Sequence, residues 1–355
     1  MRILVVGAGP TGLTAALELA RRGIEVEIID QREEGSALSR AVGITPESLA
    51  LLEPSAVTPR LLDEGIHFRG FCIYRRTEEL LRVPFDISSP GHDYNFILGL
   101  PQDRTEAILR EVLARHGVLV GYGRRLLNLT EQEGRIFADI GDGAQQAFDY
   151  VIGADGVHSR CREISGLAFR GYELPETWSI ADVDAKNWRH HDMFTVCQAG
   201  DGKVAVVAPL AHERYRVISN SENALATLPL PLDVTHIRRK GQFKISIRQV
   251  GSYHRGRIFL AGDAAHCHSP VGGRGMNLGI ADAVELASRF ADGMLDGYDA
   301  VRHAAGAKTI SGSERARRVM SSENPVVQAL FPLVLRTVSH VPALRRRMAN
   351  TILYG

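Results

Sequence analysis

The sequence predicts an α/β fold: a Rossmann-type nucleotide-binding unit, a mostly antiparallel β-sheet inserted into it, and helices at the C-terminal end. Three stretches carry that prediction. Near the start, the apolar run from Arg2 to Val6 leads through Gly7-Ala8-Gly9-Pro10-Thr11-Gly12 into a helix, Leu13 to Arg22, and then a second strand, Glu25 to Ile29, that ends at Asp30. Midway, an apolar strand ends in Gly153-Ala154-Asp155-Gly156. Further on, Gly256 to Gly279 reads as a short strand (Ile258 to Ala261), then Gly262-Asp263, a Pro270-Val271-Gly272-Gly273 bend and a helix starting near Met276.

The first stretch is a complete βαβ fingerprint. Its glycines permit the turn, the approach of a pyrophosphate and close helix–strand packing, and an acid about 20 residues on meets ribose hydroxyls. It points to a cofactor containing ADP, without separating FAD from NAD. After it, Thr45-Pro46-Glu47 marks a helix start, since Thr caps, Pro suits the first turn and an acid complements the dipole. Arg40 stands just ahead of it, either a surface residue or a brace for a pyrophosphate or reduced flavin. Phe68 to Tyr74 and Leu80 to Phe85 flank a polar turn and read as a β-hairpin, followed by a strand from Tyr94 to Leu98. Gln102 opens a helix with Ile108, Leu109, Val112 and Leu113 on one face; its amide either reaches a ligand or faces solvent. Strands follow at Val118 to Val120, Leu126 to Leu129 and Ile136 to Ile140. Asp155 either positions a cofactor at the carboxyl end of its strand or caps the next helix.

From about Phe169 to Tyr253 the pattern changes to short strands (Phe194 to Gln198, Val204 to Val207, Tyr215 to Ile218, Phe243 to Ile247) between Pro-rich turns. This is the expected inserted sheet, which the earlier hairpin joins, with a small-molecule pocket between it and the nucleotide-binding unit. The expected division is residues 1–67, 99–168 and 254–297 for the nucleotide unit, 68–98 and 169–253 for the sheet, and 298–355 for a helical segment. Val326 to Leu344 is apolar but interrupted by Pro332, Arg336, His340 and Pro342, which favours a packed helix pair over a spanning segment. Peripheral membrane contact through it is the lesser alternative, given Arg345-Arg346-Arg347.

Composition fits this class. Hydrophobic content of 45% and charged content of 23% are those of a globular protein, and a net charge of +1 argues against a nucleic-acid partner. The four cysteines, Cys72, Cys161, Cys197 and Cys267, show no metal-ligand spacing and no disulfide framework. With no apolar signal region at the N-terminus, a cytoplasmic location is expected.

Taken together, GAGPTG with Asp30, GADG at 153–156 and GRIFLAGDAAH from 256 resemble the single-component FAD-dependent aromatic hydroxylases of the p-hydroxybenzoate hydroxylase fold, nearest the phenol and polyketide hydroxylase branch. The resemblance implies that Gly7, Gly9, Thr11 and Gly12 hold the FAD pyrophosphate and Asp30 the adenosine ribose. It implies further contacts from Arg40 and Gln102, a backbone contact from Leu126 to adenine, and Asp263 at the ribityl chain. Asp155 belongs to a motif the family uses for FAD and the passing nicotinamide cofactor, and Pro270 lines the reactive side of the flavin. Gly275, Met276 and Asn277 offer N–H groups to the flavin pyrimidine edge, where a helix N-terminus stabilises the negative charge of the reduced ring. Two positions depart from the family pattern: Asp30 where glutamate is common, and Arg274 where glutamine is common.

The implied activity is monooxygenation, with NADPH or NADH binding transiently, O2 adding to the flavin as a C4a-hydroperoxide, and one oxygen atom passing to a small phenolic or polyketide-like ring. No acid–base residue is nominated, because the cofactor carries the chemistry. His266 and His268 are expected to be structural rather than proton-transferring. Tyr74, Phe85, Phe194, Tyr215 and Phe243 come from the expected sheet as candidate substrate contacts, and most of them are read as core rather than pocket. Rival readings are another flavoenzyme of this fold, a reductase or halogenase, and a non-catalytic FAD-dependent binder of a metabolite.

Overall fold

The structure, a computed structural model, describes residues 1–35, 41–88, 93–141, 143 and 145–355. Its centre is a six-stranded sheet in the order His254–Arg255, Ile258–Leu260, Tyr150–Gly153, Arg2–Val6, Glu25–Ile29, Val120–Gly121. All neighbours run parallel except the first pair. Ile3, Leu4 and Val5 are fully buried, as expected of parallel strands covered on both faces. This arrangement gathers the ends of three strands, at Val6, Gly153 and Leu260, along one edge of the sheet, with the loops that follow them side by side. Helices Pro10–Ala20, Gln102–Arg115 and Gly275–Asp292 pack behind those ends.

The inserted layer is a seven-stranded sheet: Asp233–Phe243, Trp178–Lys186, Arg214–Ser219, Lys203–Ala211, Met193–Gly200, Gly70–Arg75, Glu78–Pro84. Every pair is antiparallel except Met193–Gly200 with Gly70–Arg75. The expected hairpin is its outer edge, two residues later in starting than read. Phe68 instead ends the strand Ile66–Phe68, which pairs with Ile97–Gly99, and the chain changes sheet at Arg69.

Two further readings need correcting. The expected strand Phe243 to Ile247 is divided. Phe243 closes Asp233–Phe243 in the large sheet, whereas Ser246–Val250 pairs with Phe169–Glu173 and His266–Cys267 in a small one. The corner sits at Lys244-Ile245, where the Ile245 carbonyl accepts the Leu174 N–H at 2.8 Å. The alternating Phe243-Lys244-Ile245-Ser246-Ile247, without Gly or Pro, gives no sign of such a turn. The strand Trp178–Lys186 is absent from the reading because Asp182 and Asp184 break its apolar run. Asp182 is nonetheless buried, because Arg216 on the neighbouring strand forks onto it with two bonds of 2.7 Å.

The C-terminal helices Pro325–His340 and Pro342–Tyr354 meet at 104°, and among the described residues no single helix is long and apolar enough to cross a membrane. Leu335, Val338, Ala349 and Leu353 pack on Phe71, Leu81, Val83 and Phe85 of the hairpin. All four cysteines are buried, and none forms a disulfide.

Candidate cofactor site

The two outer glycines of the first motif are packing residues. Gly7 has φ +102, and a Cβ there would lie 2.4 Å from the Ala154 carbonyl oxygen, so the N-terminal turn rests directly on the GADG strand end. A Cβ on Gly12 would fall 1.8 Å from the Gly7 carbonyl oxygen, which fixes the helix against the turn. Gly9 differs. A Cβ there would meet nothing within 4 Å, so the space above it is open at the N-terminus of Pro10–Ala20, where unpaired N–H groups favour an anion. That cradle fits a pyrophosphate.

Thr11 lies at the contact between this helix and the flavin-motif segment. Its hydroxyl would be 2.6 Å from a Cβ on Gly262 and 2.2 Å from one on Gly279, so two glycines make room for it. Thr11 therefore locks the first helix to the loop bearing Asp263 and to helix Gly275–Asp292. Asp263 follows strand Ile258–Leu260 in a short turn; it is exposed, and its carboxylate has no hydrogen-bond partner among the described residues. A polyol is well suited to such an acceptor.

The turn itself is held from beneath by a buried network. Asp282 accepts the Gly262 N–H at 2.9 Å, the Arg302 Nε at 2.6 Å and the His266 Nε2 at 2.5 Å. Burial alone would raise the Asp282 carboxyl, but His266 and Arg302 outweigh it and hold the group below the usual carboxylate value. His268 donates from Nδ1 to the Ser269 carbonyl at 2.7 Å, and burial keeps its pKa low.

Helix Gly275–Asp292 begins after the bend at Pro270, whose carbonyl accepts the Gly273 N–H at 2.9 Å. The first N–H to bond within the helix is that of Leu278, to the Arg274 carbonyl. The N–H groups of Gly275, Met276 and Asn277 make no hydrogen bond among the described residues and form a cluster of free donors. The Asn277 side chain is fully used elsewhere: it accepts the Thr45 N–H at 2.9 Å and donates to the carbonyls of Gly43 and Gly273 at 2.9 and 3.0 Å. Thr45 caps helix Pro46–Leu52 as read from the sequence. Thus Asn277 clamps the 43–45 segment beside the free N–H cluster.

At the other end, Asp30 is nearly buried. Its carboxylate accepts the Ala8 N–H at 2.7 Å and is forked by Arg32. Burial pushes this carboxyl up, yet the bonds from Arg32 dominate and its pKa is lowered. The Gln102 amide oxygen accepts the Ala41 N–H at 3.3 Å, and its nitrogen donates to buried Glu106 at 2.8 Å. Leu126 is core, paired with Ile140 in an antiparallel ladder. Asp155 accepts the N–H groups of Arg160 and Cys161 at 2.7 and 3.1 Å and the Ser159 hydroxyl, so it caps helix Arg160–Ser165 while its backbone abuts Gly7. Arg40 lies outside the described residues.

Sequence reasoning missed Arg32, Glu106, Asp282, Arg302 and Arg216. Arg216 is fully buried in the large sheet and donates to the Ala41 carbonyl at 3.3 Å, joining the inserted sheet to the segment beside Gln102. Only Arg32 had a legible signal, two residues after the fingerprint acid. The others are defined by packing between elements far apart in the chain.

Comparison with known proteins gives the family and the fold. The family described as FAD binding domain matches residues 1–229 and 216–313. The 6-methylpretetramide 4-monooxygenase of Streptomyces rimosus is 31% identical over 381 residues, covering 100% of this chain and 68% of its own length. The pentachlorophenol 4-monooxygenase of Sphingobium chlorophenolicum is 34% identical over 312 residues, covering 81% and 58%. Among solved structures, p-nitrophenol 4-monooxygenase PnpA from Pseudomonas putida shares the fold with a TM-score of 0.88 at 21% identity, over 99% of this chain and 98% of that one. The anhydrotetracycline hydroxylase OxyS from Streptomyces rimosus gives 0.80 at 25% identity, over 99% and 76%. The chain belongs to the FAD binding domain family and, within it, to the FAD-dependent aromatic monooxygenases of the p-hydroxybenzoate hydroxylase fold.

Proposed function

We propose that this chain hydroxylates a small phenolic or polyketide-like aromatic compound, consuming NADPH or NADH and O2 and releasing water with the second oxygen atom. One observation carries the reading. An open glycine cradle at Gly9 and a cluster of free N–H groups at Gly275 to Asn277 are held in one rigid frame by Thr11, packed between Gly262 and Gly279. FAD, when bound, would supply the redox chemistry, hydride acceptance and activation of O2.

The residues have separate tasks. Gly9 with the Thr11 backbone receives the pyrophosphate in a turn that Gly7 and Gly12 hold in shape, and Asp30 receives the adenosine ribose, with Gln102, Leu126 and Arg40 near the adenosine end. Asp263 takes the ribityl hydroxyls. Gly275, Met276 and Asn277 present N–H groups to the ring edge that becomes negative on reduction, a preorganised stabilisation that needs no moving proton. Pro270 lines the reactive side, and Asp155 holds the neighbouring turn. Residues 1–67, 99–168 and 254–297 would form the FAD unit, 68–98 and 169–253 the cover over the aromatic substrate, and 298–355 the helical support. The monooxygenases of pentachlorophenol and 6-methylpretetramide among the relatives support a phenolic or polyketide ring.

A panel of phenols and aromatic polyketides, scored for stimulated NAD(P)H consumption and for product mass, tests the reaction. A product heavier by one oxygen atom, labelled from 18O2, is expected. Stimulated consumption with a reduced or halogenated product would replace the reading by another flavoenzyme, and no stimulation by any member would favour a binder. Asp263→Ala is expected to lose FAD during purification, and a fully yellow variant would count against the assignment of that residue.

A further inference from the structure

The adenosine end of the site contains a carboxylate with no capacity left. Asp30 Oδ1 accepts the Arg32 N–H at 2.8 Å and its Nε at 3.0 Å, and Oδ2 accepts the Ala8 N–H at 2.7 Å and the Arg32 Nη2 at 2.9 Å. A carboxylate offers about four lone-pair positions, so two ribose hydroxyls have nothing on Asp30 to donate to. The two backbone donors are fixed by the turn. The two guanidinium bonds are not: the Arg32 side chain is 35% exposed on a flexible stem.

A second carboxylate stands ready for that guanidinium. Glu106 Oε2 lies 3.8 Å from Arg32 Nη1, is buried and accepts no hydrogen bond, while Oε1 is held by Gln102. We propose that Arg32 is an exchangeable plug and Glu106 its holding position: ribose hydroxyls displace the guanidinium from Asp30, and it closes onto Glu106 Oε2. Glu106 is then a positioning residue for the cofactor, acting through Arg32. The guanidinium stays paired throughout, passing from one carboxylate to the other, and Asp30 is left with the ribose hydroxyls and the Ala8 and Arg32 N–H groups as its donors. Burial, which raises the Glu106 pKa in the present arrangement, fits a group still awaiting its full counter-ion.

This rests on the reading that FAD places its adenosine at Asp30. Apo protein titrated with FAD, followed by quenching of flavin fluorescence, tests it as a double-mutant cycle. Glu106→Gln, near-isosteric and uncharged, is expected to weaken FAD about tenfold, the size of one charge-assisted hydrogen bond. Arg32→Met should bind FAD at least as tightly as the parent protein, and Arg32→Met with Glu106→Gln should match Arg32→Met alone. ADP as a competitor should follow the same pattern, whereas FMN, lacking the adenosine, should not. An equal loss from Glu106→Gln with and without Arg32 would make Glu106 merely structural and overturn the exchange. Weakening by Arg32→Met as large as that by Glu106→Gln would make Arg32 a ligand and overturn it also. Should Glu106→Gln fail to fold, the Arg32→Met result alone decides between plug and ligand. Failure of the underlying reading looks different: the parent protein takes up no FAD, or Asp30→Ala binds it unchanged.

Discussion

A methyl group added at Gly9 and one added at Gly12 would have opposite consequences. At Gly12 it would meet the Gly7 carbonyl at 1.8 Å, a backbone atom that cannot yield, whereas at Gly9 it would enter open space with φ −79 already acceptable. Gly12→Ala is therefore expected to cost at least about 3 kcal/mol by overpacking, read as a lower urea midpoint. Gly9→Ala should melt like the parent and lose FAD affinity, which an FAD titration reads. Equal stability losses for both would contradict the division of roles. A buried charge gives a second contrast. Arg302→Met leaves Asp282 with His266 and the Gly262 N–H, and breaking such a pair costs about 3–5 kcal/mol. Chemical denaturation measures it, and a loss under 1 kcal/mol would show that His266 alone suffices. The glycine pattern was legible because its spacing between a strand and a helix is itself a sequence signal, although the reasons differ: Gly12 clears the Gly7 carbonyl, Gly7 clears Ala154, and Gly9 leaves open space. Asp282 and Arg302 were not, since neither residue type nor spacing says that two helices will bring them together beneath a loop. The same limit applies to Thr11: it stands within the motif, but its packing depends on Gly262 and Gly279, far along the chain.

The elements were legible where periodicity and punctuation agreed. Arg2–Val6, Glu25–Ile29 and the Thr45 cap match their sequence signals closely. The large sheet was less so. The strand Trp178–Lys186 hides its period behind Asp182 and Asp184, and the Lys244-Ile245 corner carries no turn residue. One cluster on this sheet, buried except for Glu79, has a consequence for pH. The Tyr74 hydroxyl bridges Glu79 at 2.6 Å and His190 Nε2 at 2.8 Å, with Cys72 beside the other ring nitrogen. Burial lowers the His190 pKa to about 4 and pushes the Cys72 thiol up to about 12, so both stay neutral, and Arg82 already forks onto Glu79. The three side chains thus favour a hydrogen-bonded strut over a metal site. In the unfolded chain a histidine titrates near 6.5. Between that value and about 4 the unfolded state binds the extra proton, so this contribution to stability is complete above 6.5 and is lost as pH falls through the window. The full loss is up to about 3 kcal/mol. Urea midpoints of the parent and His190→Gln across pH 4 to 7 check this; the variant should show a shallower decline, and parallel curves would refute it.

Across the whole molecule, the C-terminal helices close the structure through a residue at the start of the flavin-motif helix. Arg274 Nη2 donates to the Thr351 and Ile352 carbonyls at 3.1 and 3.0 Å, the last turn of Pro342–Tyr354, where a cation also complements the helix dipole. Arg274→Ala is expected to raise amide hydrogen exchange in 342–354 at least about tenfold while leaving Gly275–Asp292 protected. Unchanged exchange would show that the apolar packing of Leu353 and Ala349 suffices. The order of units could be read from the three separated motifs, each a strand end that the parallel sheet collects on one edge. How the last two helices dock could not, because the apolar run from Val326 does not reveal which face meets the hairpin or that the chain turns by 104° at Val341.

The proposed function places a single cofactor from the turn at Gly9 to the helix start at Gly275. The direct measurement is stoichiometric: purified chain, stripped of small molecules, titrated with FAD while absorbance and flavin fluorescence are followed. The account predicts saturation at one FAD per chain, with binding weakened by Gly9→Ala and by Asp263→Ala. A chain that folds but takes up no FAD would contradict it.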